Sequence, residues 1–173
     1  MLERLTLPRL SRGLAVLALA VLASCSTAPG ALPPGTPIEQ ARGTFGGVSG
    51  EYRLPDGGTR LEFRQGTYGK QTYMLDFDAR GLLVSSKQVL TPETFATITP
   101  GLTPEQVLMR IGHPAYVFPV GYQKLQVWNY RFGGMEGDCV VFQVSISNVT
   151  GIVSDAGPNT DPACSRGGGD KSS

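Results

Sequence analysis

The sequence predicts an α+β fold of two repeated units, each made of short helices packed on a three- to four-stranded antiparallel sheet. Three observations carry the prediction. Strict apolar–polar alternation recurs in short segments, as in Leu61-Glu62-Phe63 and Trp128-Asn129-Tyr130. Helix-start signals stand at Thr36-Pro37, Thr91-Pro92 and Thr103-Pro104. The pattern also occurs twice. Thr36-Pro37, Leu61, Phe63 and Arg64 recur at one fixed offset as Thr103-Pro104, Trp128, Tyr130 and Arg131. Tyr73, Leu75 and Phe77 then answer to Phe142, Val144 and Ile146, and Gly81-Leu82 to Gly151-Ile152.

The first residues read as an address. Arg4, Arg9 and Arg12 precede an apolar run over 13–23. That run falls short of the roughly 20 residues a mature spanning helix needs. It ends in Leu22-Ala23-Ser24-Cys25, and small residues directly before a Cys resemble the bacterial lipobox. The resemblance implies a signal peptide over 1–24 and fatty acylation, such as palmitate, on Cys25. Ser26, not Asp, follows the Cys, which resembles the outer-membrane sorting pattern. Residues 25–35, rich in Ala, Pro and Gly, read as a lipidated tether. What remains is roughly 150 residues, enough for one domain or two small ones.

The first unit covers 36–90. Its helix, expected over 37–42, has Thr36 and Glu39 placed for a capping box, and glycines at 43, 46 and 47 should end it early. Strands are expected over 50–54, 59–64, 71–78 and 82–89, with Pro55-Asp56-Gly57-Gly58 as a turn. Leu61 and Phe63 point one way and Arg60, Glu62 and Arg64 the other. That predicts one buried face and one wet face.

The second unit covers 91–166. Thr91 caps a leading helix with Phe95 and Ile98 as apolar anchors. In the next helix Thr103 is the N-cap, Pro104 the first helical residue, and Gln106 completes a capping box. Val107, Leu108 and Ile111 share its face; Gly112 and Pro114 stop it. Strands are expected over 125–132, 140–147 and 151–154. Leu125, Val127 and Val141 lie opposite the Trp128, Tyr130, Phe142 and Val144 face, so either the first unit or a partner should cover them. Residues 167–173 read as a disordered tail.

With Cys25 assigned to lipid, Cys139 and Cys164 remain. In the oxidising compartment the lipobox implies, they are most simply a disulfide. It would close a loop of about 26 residues and stabilise by about 3–4 kcal/mol on the chain-entropy model.

Gly-Leu-Thr-Pro-Glu-Gln-Val over 101–107, Gly112-His113-Pro114, Trp128-Asn129-Tyr130-Arg131-Phe132 and Gly151-Ile152-Val153 together resemble the small outer-membrane lipoproteins of the BamE (SmpA/OmlA) type. The resemblance covers residues 91–155 and the lipobox. It implies an ααβββ layout for the second unit, a periplasm-facing anchor in the outer membrane, and a role beside the machine that assembles β-barrels there. Three departures stand out: the degenerate first copy, the short loop over 133–138 and the Cys139, Cys164 pair. Tandem copies of such a unit also resemble the architecture of the β-lactamase-inhibitory proteins, which are protein binders.

No catalytic constellation emerges. His113 is the only histidine and reads as an exposed position in a Gly-X-Pro stop. Asp76 and Asp78 alternate with Leu75 and Phe77 and read as the solvated side of a strand, not a metal site. Ser49 lacks the second glycine of a nucleophile elbow, and Gly69-Lys70 lacks the first glycine of a phosphate loop. No cofactor or metal is expected. With 15 Lys and Arg against 14 Asp and Glu, no basic face for nucleic acid is expected either. The loop over 115–122 is rich in large apolar residues, and Tyr116, Phe118 and Tyr122 are the candidate partner contacts. The competing reading makes Val117 and Phe118 an inward-packing edge strand. The expected function is a non-enzymatic, lipid-anchored accessory that binds the barrel-assembly machinery or another envelope protein. The alternative is an inhibitor- or sensor-type module for a periplasmic enzyme or ligand.

Overall fold

The computed structural model describes residues 28–66, 69–133 and 139–165. The expected signal peptide over 1–24, Cys25 and the expected tail over 167–173 lie outside the described residues. The fold is α+β, with two four-stranded antiparallel sheets. After a 3-10 turn at Pro29–Ala31 come α1 (Ile38–Phe45), β1 (Gly50–Arg53), β2 (Thr59–Gln65), β3 (Gln71–Phe77) and β4 (Leu83–Gln88). Then follow α2 (Pro92–Phe95), α3 (Pro104–Ile111), β5 (Tyr116–Val120), β6 (Leu125–Arg131), β7 (Val140–Ser147), β8 (Val153–Thr160) and α4 (Pro162–Ser165). Each sheet is a meander, β1 to β4 and β5 to β8.

The two sheets share their register. Leu61 pairs with Leu75 and Phe63 with Tyr73. At the corresponding places Trp128 pairs with Val144 and Tyr130 with Phe142. The third and fourth strands of each sheet slip at the same point, between Asp76 and Phe77 and between Ser145 and Ile146. The apolar pattern sets these registers, because a slip of one residue would turn every core side chain to the other face.

Two cores result. Leu61, Phe63, Leu75, Phe77 and Leu83 pack with Ala41 beneath α1. Tyr130, Phe142, Val144, Ile146 and Val153 pack with Phe95 of α2, Ile98 just after it, and Val107 and Ile111 of α3. Phe95 stacks on Phe142 at 4.2 Å and meets Phe132 edge-on at 5.0 Å. α3 has the caps its sequence predicts: Thr103 accepts from the Gln106 N–H, and Gln106 reaches back to the Thr103 N–H.

The first helix departs from expectation. Thr36 turns its hydroxyl to the Pro33 carbonyl, so α1 starts at Ile38 with Pro37 at the N-cap and no side-chain cap. It continues through Gly43, whose cost is about 0.5–1 kcal/mol. Burial of Ala41 and the edge-on contact of Phe45 with Phe63 at 5.5 Å hold it there. The last strand runs to Thr160 instead of ending at 154. β8 is an edge strand, where Pro158 need not donate to a neighbour. The second unit has four strands after its two helices, because residues 116–120 form an edge strand instead of a plain loop.

Two further expectations are corrected. The segment expected to be a tether packs from Pro29 onward. Pro29 is buried, Leu32 lies against the first core, and Gly35 and Thr36 bond to Leu83. The expected wet face of the first sheet is covered. Glu62 and Thr72 are fully buried there and Met74 is nearly so. The covering element is α3, which lies between the core face of the second sheet and the outer face of the first. Arg60 donates to the Met109 carbonyl at 2.6 Å, across the two units. The order of layers is therefore α1, first sheet, α2 with α3, second sheet.

Candidate functional site

Two places concentrate side chains that the fold alone does not account for. One is the junction between the units. The other is the far side and tip of the second sheet.

At the junction, Glu62 projects from β2 toward the loop after α3. Its Oε1 accepts the His113 backbone N–H at 2.9 Å, and its Oε2 lies 2.8 Å from His113 Nδ1. The Tyr52 hydroxyl donates to the same Oε2 at 2.7 Å. Glu62 has no exposed surface, while the His113 side chain is 44 % exposed. Burial, and then the bond to Glu62, push the Tyr52 hydroxyl well above the usual tyrosine range. Tyr130 donates to the Gly112 carbonyl at 3.0 Å and is held up by burial in the same way. Gly112 is obligatory here. Its φ is 75°, and a Cβ would lie 2.7 Å from the Glu62 carboxyl carbon. The carboxylate thus has its donors arranged around it, and the arrangement ties one unit to the other.

His113 is exposed, as its sequence context predicts, and its ring and backbone N–H are also engaged by Glu62. Asp76 is not a solvated acid: Arg60 holds it through two bonds of 2.6 and 2.7 Å. That bond keeps the Arg60 guanidinium above its ordinary value. Beside it runs a cleft of about 440 Å³ between the first sheet and the helices of the second unit. Arg60, Asp76, Lys87 and Arg110 bring charge to it, beside the apolar Met74 and Val89. Asp78 caps the turn before β4 instead. Its carboxyl sits below the usual range because it accepts the Leu82 N–H and then the Arg80 side chain.

The candidate partner contacts separate in space. Tyr116, Phe118 and Val120 pair with Asn129, Val127 and Leu125, so they share the outer face of the second sheet, away from its core. Tyr116 is occupied: its hydroxyl donates to Asp161 at 2.5 Å, and Arg131 lies over its ring and bonds Asp161 at 3.0 Å. Asp161 is itself buried. The disulfide between Cys139 and Cys164 holds it, for Asp161 donates its N–H to the Cys139 carbonyl and accepts from the Cys164 N–H. Phe118 is half-buried at the edge of this face. Tyr122 stands at the β5–β6 turn and is fully exposed.

Sequence reasoning missed what surrounds Tyr122. The β5–β6 and β7–β8 turns lie side by side, joined by the Asn148 N–H to the Lys124 carbonyl at 2.8 Å. Val149, 72 % exposed, and Ile152, 36 % exposed, therefore join Tyr122 at one end of the sheet. The half-buried Phe118, Val120 and Leu125 continue from that tip along the outer face. Large apolar side chains gathered at exposed turns mark contact surfaces more often than scattered ones do. The signal was in the repeat: the two hairpins of a meander must bring their turns to the same end.

Among the described residues, no group of three His, Cys, Asp or Glu side chains could hold a metal ion. Nor is any described helix long and apolar enough to cross a membrane.

No family model matches this sequence, and no curated protein matches it. Among solved structures, one described as a "putative beta-lactamase inhibitor protein" from Streptococcus mutans aligns over 77 % of this chain and 88 % of its own. The identity is 12 % and the TM-score 0.33, too low to carry an argument.

Proposed function

We propose that this protein is a non-catalytic, lipid-anchored binding accessory of the outer membrane, held there through acylated Cys25 and facing the periplasm. The reading follows from the lipobox-like Leu22-Ala23-Ser24-Cys25 and the resemblance of the second unit to the BamE-type lipoproteins. The observation that carries the binding role is the apolar tip of Tyr122, Val149 and Ile152, continued by Phe118, Val120 and Leu125. In the first unit the corresponding outer face is covered by α3 of the second. In the second unit the middle of that face, Val127, Asn129 and Val141, is already buried, and the apolar surface left to a partner protein is the tip with the half-buried residues beside it. Anchoring raises the effective concentration of the tip beside an envelope partner, so a weak interface suffices.

The alternative, an inhibitor or sensor that binds where the units join, would need an apolar concave surface there. The junction instead presents a charged cleft and a carboxylate already surrounded by donors. Glu62 and His113 are read as a clamp between units, not as a catalytic base.

A photo-crosslinking residue at position 122, introduced in intact envelopes, tests the proposal. Capture of a barrel-assembly or other outer-membrane protein is expected, with capture reduced by Val149→Ala. If position 122 captures no envelope protein while the chain is membrane-bound, the accessory role fails.

A further inference from the structure

The way the chain enters the first sheet also decides which side of the domain can face a membrane. Pro29 is buried, and its carbonyl accepts the Ser86 hydroxyl at 2.9 Å. Gly30 rests against the Tyr73 ring, and the Gly35 N–H bonds the Leu83 carbonyl. The chain is thus fixed to β4 and the end of β3 from Pro29 onward. Only Ser26, Thr27 and Ala28 separate Cys25 from Pro29, so four Cα-to-Cα steps join them. Fully extended, they reach about 14 Å at most. That is little more than one layer spacing of about 10 Å, and far short of the three spacings across the whole stack.

We infer that the β4 side of the first sheet is a membrane-apposed surface that rests on lipid headgroups. The inference rests on the acylation of Cys25. With the lipid at Cys25 in the bilayer, the domain cannot lift away, and the surface around Pro29 and β4 stays at the headgroup layer.

The chemistry of that surface fits. From Ala28 through Thr36 the chain carries no charged side chain, and β4 reads Leu-Val-Ser-Ser-Lys-Gln with no acid. The register slip opposite Asp76 and Phe77 pushes Val84 outward, where it is 62 % exposed. Lys87, next to Ser86 on this edge strand, turns to the opposite side, toward the cleft, and is exposed at the rim. Glu93 of α2 is held below the usual carboxylate range by its own backbone N–H, then by Thr91, and in small part by the charge of Lys87. Arg60, Asp76 and Arg110 line the same cleft, and Arg60 is committed to Asp76. The rim is therefore mildly cationic, suited to anionic headgroups and without repulsion from them.

The test is an amine footprint on the full chain, purified from membranes and incorporated into phosphatidylglycerol-containing vesicles. A membrane-impermeant acylating reagent reacts with exposed lysines, and mass spectrometry reads each one. Lys124, exposed at the far tip, is the internal reference. Lys87 is expected to react several-fold more slowly than Lys124 on vesicles. A flexible Gly/Ser insertion of about 15 residues between Thr27 and Ala28 should restore Lys87 while the protein stays bound. Equal Lys87 reactivity with and without the insertion, on protein that floats with the vesicles, overturns the orientation alone. Protein that does not float overturns the acylation, and the orientation with it.

Discussion

Glu62→Gln tests the clamp between units. Glu62 is fully buried and accepts from the Tyr52 hydroxyl, the His113 N–H and the His113 ring at 2.7, 2.9 and 2.8 Å. The substitution keeps the shape but replaces one carboxylate oxygen by an amide NH2, which donates and cannot accept. The Tyr52 hydroxyl and the His113 ring must then turn from donors into acceptors, and their bonds to a charge are lost. Hydrogen bonds to a charged group contribute about 1.5–3 kcal/mol each, and breaking a buried pair costs about 3–5 kcal/mol. The His113 side chain is 44 % exposed, so water solvates the freed ring and lowers the loss. The expected destabilisation is about 2–3 kcal/mol. His113→Ala should cost about 1 kcal/mol because its side of the pair is wet. The double variant should lose less than the sum by about 1 kcal/mol, since both substitutions remove the same interaction. Urea unfolding followed by fluorescence of Trp128, the only tryptophan, and by far-ultraviolet circular dichroism reads each value. Trp128 packs against the second core, so separation of the two signals would show the units uncoupling. A Glu62→Gln loss below about 0.5 kcal/mol, or strictly additive losses, would refute the clamp.

Other outcomes follow from the same geometry. Gly112→Ala should cost about 2–4 kcal/mol in the same urea assay, because the methyl meets the Glu62 carboxyl at a φ of 75°. Gly101→Ala, also at positive φ but with nothing within 4 Å, should lose only about 1–2 kcal/mol. Cys139→Ser with Cys164→Ser should cost about 3–4 kcal/mol for a bond spanning 25 positions, measured without reductant. Tyr122→Ala with Val149→Ala should leave stability within about 0.5 kcal/mol of wild type while reducing envelope capture, since neither side chain is in a core. In alkaline titration, Tyr52 and Tyr130 should not ionise with the exposed tyrosines. Their folded values lie above the unfolded one, so their contribution is complete below about pH 10 and is lost as pH rises further. Tyrosinate absorbance for these two should appear only with unfolding, and earlier ionisation would count against their burial.

The sequence by itself determined the two-sheet α+β class, most strand positions and the core faces. Alternation of period two places Leu61, Phe63, Tyr130 and Val144 without reference to anything distant. The Thr103–Gln106 capping box and the Cys139–Cys164 disulfide were equally legible, one because caps are local and the other because so few cysteines remain. Only the tertiary structure decided what lies against each outer face. Alternation says that Arg60 and Glu62 share a side; it cannot say that α3, more than forty residues later, covers that side. The Glu62–His113 clamp, the Arg60–Asp76 pair and the packing of Pro29 on β4 all arise from contacts between layers. So does the apolar tip, where two turns meet only because their hairpins are neighbours in one sheet. Periodicity records which residues turn inward along an element, whereas these features depend on which element arrives to meet them.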